Sequence, residues 1–508
     1  MVNVLLKKAV RDIAIYFPGK LLPALIGLIT IPIFSRLFKP AEYGILAIIG
    51  VFTTAGSIAV SNWLSSSVVR FLPHYRHKNQ LGRFYSTTIC SYGLSLAALI
   101  VFGVPVCLII KPTVSANVYR LLPLAGLITA AGGLFTILQT IMRADQKAKQ
   151  FVVVELSMAC GGLIAGLSLV LIFGLGVDGI FWGSLLVMVI VNIGMIYSLF
   201  KANRMIRLDG FSGASLREFA AYGLPGGVAT IGTWLLSMSD RYLIEYMRGT
   251  TEVGLYSMGY GIADKSINLV ITSLILAVGP ILINTWESEN RESTAGLLRQ
   301  ITRIVIILTI PMAIGLSILS DAVFRVFTTA AYMPGVSVLP WVALGAILYG
   351  LGHLACVGLS IAKKTMIMAR NYITAGFANV ILNVLFIPGH GFIVAAINTT
   401  AAYGILLAMN IISGRKYLPW LFPWRTLRNV TVAAGIMAAL LWTGTLFIAP
   451  CLVSLLLSVV IGAVIYGGSL LILGELTQSE RARIVSLAQQ VWIVCSGRLR
   501  LWYTGEAK

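Results

Sequence analysis

Charge is what this 508-residue chain most lacks. Only 11% of its residues are Asp, Glu, Lys or Arg, against a soluble norm of about 25%, while 58% are hydrophobic. Soluble domains need charged surfaces that this composition cannot supply, so the solvent of the fold is lipid. Acid is scarcer than base, 18 Asp+Glu against 38 Lys+Arg, for a net charge of +20. In a soluble protein that excess would suggest nucleic acid. In a membrane chain it marks the cytoplasmic side, and no nucleic-acid partner is expected. The pattern GxxxxGK[ST] is missing, which excludes a P-loop that would burn ATP. Cys90, Cys107, Cys160, Cys356, Cys451 and Cys495 show no CxxC spacing, and His74 with His77 forms an HxxH pair in a basic loop without further ligands. Neither a metal nor a cofactor is therefore expected. No small-residue cleavage site precedes residue 35, so the charged residues 1–12 read as running into a retained first helix.

Apolar sequence is abundant. Runs of the roughly 20 residues needed to span a bilayer occur near 13–35, 44–64, 84–110, 121–141, 152–173, 179–200, 219–239, 254–284, 301–320, 337–361, 372–387, 392–412, 429–448 and 452–473. The expected fold class is all-α, a polytopic membrane protein of about 14 transmembrane helices. With the N-terminus inside, Arg36, Lys39, Lys111, Arg120, Arg241, Arg248 and Arg325 lie on outward segments and Lys20 and Lys265 inside spans. The remaining Lys and Arg fall on inward segments, a roughly fourfold excess that predicts cytoplasmic termini in a cell-membrane protein. After Leu473, Thr477 with Glu480 fits a capping box, and Ile484, Leu487, Ala488 and Val491 share one face. Residues 474–508 thus read as a cytoplasmic amphipathic tail on the membrane surface, with a solvated tail as the alternative.

Landmarks recur across the two halves. Pro18-Gly19 answers Pro225-Gly226, Glu42-Tyr43-Gly44 answers Glu252-Val253-Gly254, and the turn ending at Gly179 answers that ending at Gly391, all at similar offsets. Six spans per unit give both copies the same orientation, hence parallel repeats about an axis along the membrane normal. The expected organisation is an N-terminal lobe over 1–210, a second six-helix lobe over 211–414, and helices 13 and 14 over 415–473. Two such lobes enclose a cleft that can open to either side by rocking.

Several segments resemble the polysaccharide (O-antigen and related lipid-linked oligosaccharide) flippase branch of the multidrug/oligosaccharidyl-lipid/polysaccharide (MOP) exporter superfamily. Pro32-Ile-Phe-Ser-Arg36 through Glu42-Tyr43-Gly44 is similar to that family's first outer loop, and Asp240-Arg241 followed by Thr251-Glu252-Val-Gly254-Leu-Tyr256 to its counterpart after span seven. Arg70-Phe71 resembles the end of its second span. The most specific stretch is Asn383 through Pro388, Gly391, Ala395, Ala396 and Thr399, which departs from the family pattern in carrying Val394 for glycine and Asn398 for alanine. The resemblance covers roughly residues 10 to 415. It implies a non-enzymatic transporter that moves undecaprenyl-pyrophosphate-linked oligosaccharide from the cytoplasmic to the outer leaflet, with membrane lipids, polysaccharide polymerase and chain-length proteins as partners. Two alternatives stand beside it: a cation-coupled multidrug exporter of the same superfamily, and a membrane polysaccharide polymerase or ligase. The latter is disfavoured because the longest outer segment, 321–336, carries only Asp321 and Arg325 as charges.

Charge near mid-bilayer is expensive, from about 2.5 to over 10 kcal/mol, so Lys20, Lys265 and Asp264 need an aqueous cavity or partners. Lys20 and Lys265 are candidate cavity cations for a phosphate, with snorkelling the alternative for Lys20 and an internal ion pair for Lys265. Arg70 could guide a pyrophosphate inward or merely follow the charge bias. Asp264 is a candidate for an ion pair or for coupling. Arg36 with Glu42, and Arg241 with Asp240 or Glu252, are expected as ion pairs at the outer ends of the lobes. Glu155 fits a cytoplasmic interface position. Pro18, Pro23, Pro32, Pro225 and Pro280 are expected to bend their helices.

Overall fold

The computed structural model describes residues 22–145, 147–202, 210–447 and 449–476, and among these it is almost wholly helical, without a strand. The long helices are α1 (Leu22–Leu37), α2 (Pro40–His77), α3 (Leu81–Thr113), α4 (Ala116–Ala144), α5 (Lys149–Leu171), α6 (Gly176–Leu199), α7 (Gly213–Arg248), α8 (Thr250–Ser288), α9 (Arg291–Ile318), α10 (Ala330–Ile361), α11 (Thr365–His390), α12 (Phe392–Gly414), α13 (Trp424–Phe447) and α14 (Leu452–Ile472). Eleven are long and apolar enough to cross a membrane. With α1, α7 and α8 they match the expected series of spans, so the protein is an all-α polytopic membrane protein. Lys20, Pro18 and the tail from Thr477 onward lie outside the described residues.

Most helices overrun the apolar runs that announced them. At 1.5 Å per residue, the 36 residues of α7 extend about 54 Å, well beyond a hydrocarbon core of about 30 Å. One consequence is a correction: Asp240 and Arg241, read from sequence as outer-loop residues, lie within α7 and are buried. The apolar run stops before them, but the helix continues until Gly249, whose φ of +88° ends it.

By the charge bias, the end of the bundle carrying the α1–α2 and α7–α8 turns is called outer. There α2 crosses α8 at backbone contact. A Cβ on Gly44 would collide with the carbonyl oxygen of Thr250, and one on Gly254 with that of Pro40, each glycine's Cβ position lying 3.1 Å from the other's nitrogen. The recurring Glu-x-Gly landmark is therefore a reciprocal contact between the two halves. Farther in, α2 loosens into a π-helical turn, Ile58–Asn62, and its inner half then packs on α7. Gly223 meets the Trp63 carbonyl, Ser67 donates to Phe219 O at 2.8 Å, and Asn62 donates to Thr230 Oγ1 at 2.7 Å.

Helices α13 and α14 are tied to α9 at the inner end. Glu475, just past α14, accepts from Arg303 Nε at 3.0 Å, Thr426 Oγ1 at 2.6 Å and Asn429 Nδ2 at 2.9 Å. Burial pushes this carboxyl up, but the three hydrogen bonds and the Arg303 charge outweigh burial and hold it below the usual carboxylate range. Its contribution is thus complete above that range and is lost as pH falls through the lowered folded value. Glu475→Ala is expected to destabilise the detergent-solubilised protein by about 3 kcal/mol at pH 7. In thermal unfolding the gap from the parent should narrow at pH 3; a gap equal at both pH values would contradict the clamp.

Candidate functional site

The interior of α7, α8, α11 and α12 holds the densest polar cluster described. Asp240 on α7 is fully buried and accepts four hydrogen bonds, from Tyr256 Oη (2.6 Å), Thr399 Oγ1 (2.6 Å), Asn379 Nδ2 (2.8 Å) and Asn383 Nδ2 (2.8 Å). Asn398 in turn donates to Asn383 Oδ1 at 3.0 Å. Helical spacing explains the convergence, because Asn379 and Asn383 are one turn apart on α11 and present their amides to the same side. Among the described residues, no Lys or Arg nitrogen lies within 4.0 Å of this carboxylate. A buried carboxylate held by neutral donors can keep its charge, take up a proton, or share its oxygens with a small cation.

Arg241, the next residue, points elsewhere. Its guanidinium stands 4.5 Å from the ring centroid of Tyr260 and 5.6 Å from that of Tyr256, and it donates to Ser237 O at 3.1 Å. The expected pairing of Arg241 with Asp240 or Glu252 is therefore not formed. Consecutive helical residues diverge by about 100°, and Glu252 is engaged by Arg248 at 2.9 Å and by the Phe392 amide at 3.1 Å. The Arg36–Glu42 pair is likewise absent. Glu42 sits in the first turn of α2 and accepts from the Lys39 amide at 2.8 Å, where free N–H groups await a carboxylate. Arg36 instead serves helix C-terminal carbonyls, Pro32 O at 2.8 Å and Val326 O at 3.3 Å.

Lys265 on α8 reaches across to α1, donating to Gly27 O at 2.8 Å, so one of the two expected cavity cations lies on the seam between the first and second six helices. Its neighbour Asp264 accepts from Asn268 at 2.5 Å rather than from a cation. Asp264 lines a small polar void of about 10 Å³ with Asn268, Tyr260, Tyr349, Thr399 and Tyr403, room for about one water. Arg70 is exposed on the inner half of α2, far along the chain from Lys265 and its partner Gly27. His74 and His77 are exposed, and no group of three metal-ligating side chains occurs among the described residues. A larger cavity, about 1020 Å³ and mainly apolar, opens between α9, α10, α12 and α13, with Arg299 at its rim.

Sequence reading missed Tyr256, Tyr260, Asn379 and Tyr403 as members of the site. The available signal was amide spacing: four asparagines, Asn371, Asn379, Asn383 and Asn398, in otherwise apolar helices, each of which must find a partner inside the bundle.

Comparison with known proteins agrees with this architecture. The model of a family described as polysaccharide biosynthesis protein matches residues 33–337. Two relatives from Haloferax volcanii are similar: the "Probable flippase AglR", 25% identical over 65% of this chain and 69% of its own, and the "Probable low-salt glycan biosynthesis flippase Agl15", 21% identical over 65% and 68%. Among solved structures, the lipid II flippase MurJ in an inward closed conformation superposes with a TM-score of 0.73 at 17% identity, covering 89% of this chain and 96% of that one. An inward-facing multidrug transporter of the MOP superfamily follows at 0.61 and 14% identity, covering 77% and 94%. The fourteen long helices among the described residues form a fold like that of these two transporters, and a family match over more than half of its length places this chain in the polysaccharide biosynthesis protein family.

Proposed function

We propose that the protein is a flippase that carries undecaprenyl-pyrophosphate-linked oligosaccharide from the cytoplasmic to the outer leaflet by alternating access. Two lobes, 1–210 and 211–414, rock about their seam. The observation that carries this reading is the nature of that seam. It is closed at the outer end by backbone crossing, by apolar contacts such as that of Ile31 with the second core, and by single hydrogen bonds, and Lys265 donates to the Gly27 carbonyl and, among the described residues, to nothing else. Such contacts separate without unfolding either bundle, and a separated Lys265 presents an ammonium to an incoming phosphate. Lys20 and Arg70 are the further cations proposed for the path. The relatives named as flippases support the same cargo class. An anionic head group moving outward across an inside-negative membrane gains about 2.3 kcal/mol per charge per 100 mV, which assists the step without ATP. The apolar cavity between α9 and α13 offers the polyprenyl tail a place beside the lobe while the head turns over.

The test is complementation of a flippase-deficient strain, with accumulation of lipid-linked glycan on the inner leaflet measured. Wild type should clear the accumulated lipid. Lys265→Ala at equal abundance should lower the rate at least about tenfold, since it removes one charge-assisted contact. Full activity of Lys265→Ala would remove this residue from the path, and failure of wild type with every glycan lipid, combined with export of cationic drugs, would replace the flippase reading by drug export.

A further inference from the structure

Two clasps flank the glycine crossing at the outer end, and each joins one half of the protein to the other. In the first, the connection between α9 and α10 holds the α1–α2 turn through hydroxyls, carbonyls and the Arg36 guanidinium, with no carboxylate taking part. Ser35 donates to Phe327 O at 3.1 Å, Thr329 to Ser35 O at 3.3 Å and Tyr332 to Phe38 O at 2.9 Å. In the second, the connection between α3 and α4 meets the outer end of α7. Thr113 Oγ1 and Tyr242 Oη lie 3.0 Å apart, and Glu245 Oε1 accepts from the Ser115 amide at 3.1 Å. Ser115 is the residue before the first turn of α4, where amides lack helical partners. The second clasp thus differs from the first in holding a carboxyl group.

That carboxyl is incompletely satisfied. Glu245 is only 5% exposed, and among the described residues neither its Oε2 nor the neighbouring Ser115 Oγ has a hydrogen-bond partner. The charged groups around it are committed elsewhere. On the α3–α4 connection Lys111 lies over the Tyr119 ring at 5.5 Å, and on α4 Arg120 pairs with Asp178 at 3.0 Å. On α7 itself Arg248 pairs with Glu252 of α8 at 2.9 Å and Arg241 stands over Tyr260 of α8. On α2 Glu42 caps its own helix, while Phe52 offers Tyr242 only a ring edge at 6.2 Å. Among the described residues no cation pairs with Glu245, so the closed clasp buries either a lone negative charge or a protonated acid.

We propose that Glu245 is a proton-sensing latch: its Oε2 takes a proton from the outer water as the seam closes and gives it back when the seam opens, so acidity on the outer side holds the outer end shut. A proton on Oε2 cancels the charge that burial penalises, so the closed clasp no longer holds an uncompensated carboxylate. Opening returns the carboxyl to water, where the charged form is favoured. Protons therefore bind the closed form more tightly, and by linkage a fall in pH favours closure. The proton enters and leaves on the same side, so the device resets the emptied protein without itself being transported.

The latch rests on the alternating opening proposed above, and the test separates the two. Spin labels at the exposed positions Asn117 on α4 and Arg325 beyond α9 report the outer separation in full-length protein reconstituted in vesicles of anionic lipid. Between pH 8 and pH 5 the closed-to-open ratio should rise at least about tenfold, one unit of proton affinity corresponding to one decade. Glu245→Gln, which mimics the protonated acid in shape and charge, should remain closed throughout with less than about twofold variation. Two populations that ignore pH, or a Glu245→Gln protein that keeps the parental midpoint, would overturn the latch while leaving alternating access intact. A single closed population in every sample would overturn both.

Discussion

Gly254→Val, and separately Gly44→Val, is expected to abolish transport while leaving the protein folded. Neither glycine adopts a left-handed conformation; both are required because the α2 and α8 backbones touch there. The nearest atoms to an added Cβ are backbone, the Pro40 and Thr250 carbonyls, and backbone cannot swing aside as a flexible side chain would. A valine therefore pushes the helices apart by more than one carbon diameter, and close-packed interfaces do not absorb that strain locally. Part of the damage reaches the second core, in which Ile31 of α1 is buried and against which Tyr43 and Ala47 of α2 pack, but each half keeps a core of its own. One cluster is built from residues such as Ile48, Ile49 and Leu121, and another from Tyr256, Val305 and Leu339. The outer end of the variant should stand open. An impermeant thiol reagent applied from outside should modify a cysteine placed at Asn62 at least about tenfold faster than in the parent, with a melting temperature within a few degrees of it. Parental labelling and parental lipid clearance together would show that the crossing is not part of the cycle.

What could be read from the sequence depended on how local each signal was. The long helices were legible because lipid demands about 20 apolar residues per crossing, whereas the short helix Ser320–Phe327 fell in a stretch read as an outer segment. Glu42-Tyr43-Gly44 and Glu252-Val253-Gly254 stood out as matching landmarks, and the structure gives those letters a reason, since both glycines serve one contact. Helix ends were less legible. Polar residues beyond the hydrocarbon belong to the same helix as the apolar ones before them, so Asp240 and Arg241 were assigned to a loop that is the last third of α7. Pairing by opposite charge failed for Arg36 and Glu42, and for Arg241 and Asp240, because helix geometry intervened. A carboxylate in a first turn finds amides, a guanidinium at a helix end finds carbonyls, and successive side chains diverge. The Asp240 cluster required four helices to be brought together, which no local pattern reports. Its members Asn383, Asn398 and Thr399 nevertheless lie in the most specific family-like stretch, where they were noticed as a turn and not as an interior.

Asp240→Ala is expected to be the most destabilising single change in the second six helices. It would leave the Tyr256 hydroxyl and one N–H each of Asn379 and Asn383 without their acceptor, while the Thr399 hydroxyl falls back on Ala395 O at 2.9 Å. Breaking a buried, charge-bearing network by removing its centre costs about 3–5 kcal/mol, enough to lower abundance severalfold in the membrane. Asp240→Asn separates structure from charge. It keeps the side-chain volume and one acceptor oxygen, and the two surrounding amides can rotate to present oxygen to its NH₂ group. That variant should fold, with stability within about 1–2 kcal/mol of the parent. If the carboxylate takes part in the cycle by exchanging a proton or a small cation, Asp240→Asn should lose lipid clearance by at least about tenfold at normal abundance. If its role is to hold α7, α11 and α12 together, clearance should follow abundance in both variants. Quantifying membrane levels and inner-leaflet glycan lipid for the pair separates the two roles. An active, abundant Asp240→Ala protein would contradict the cluster as built, because three buried donors cannot be left unmatched at no cost.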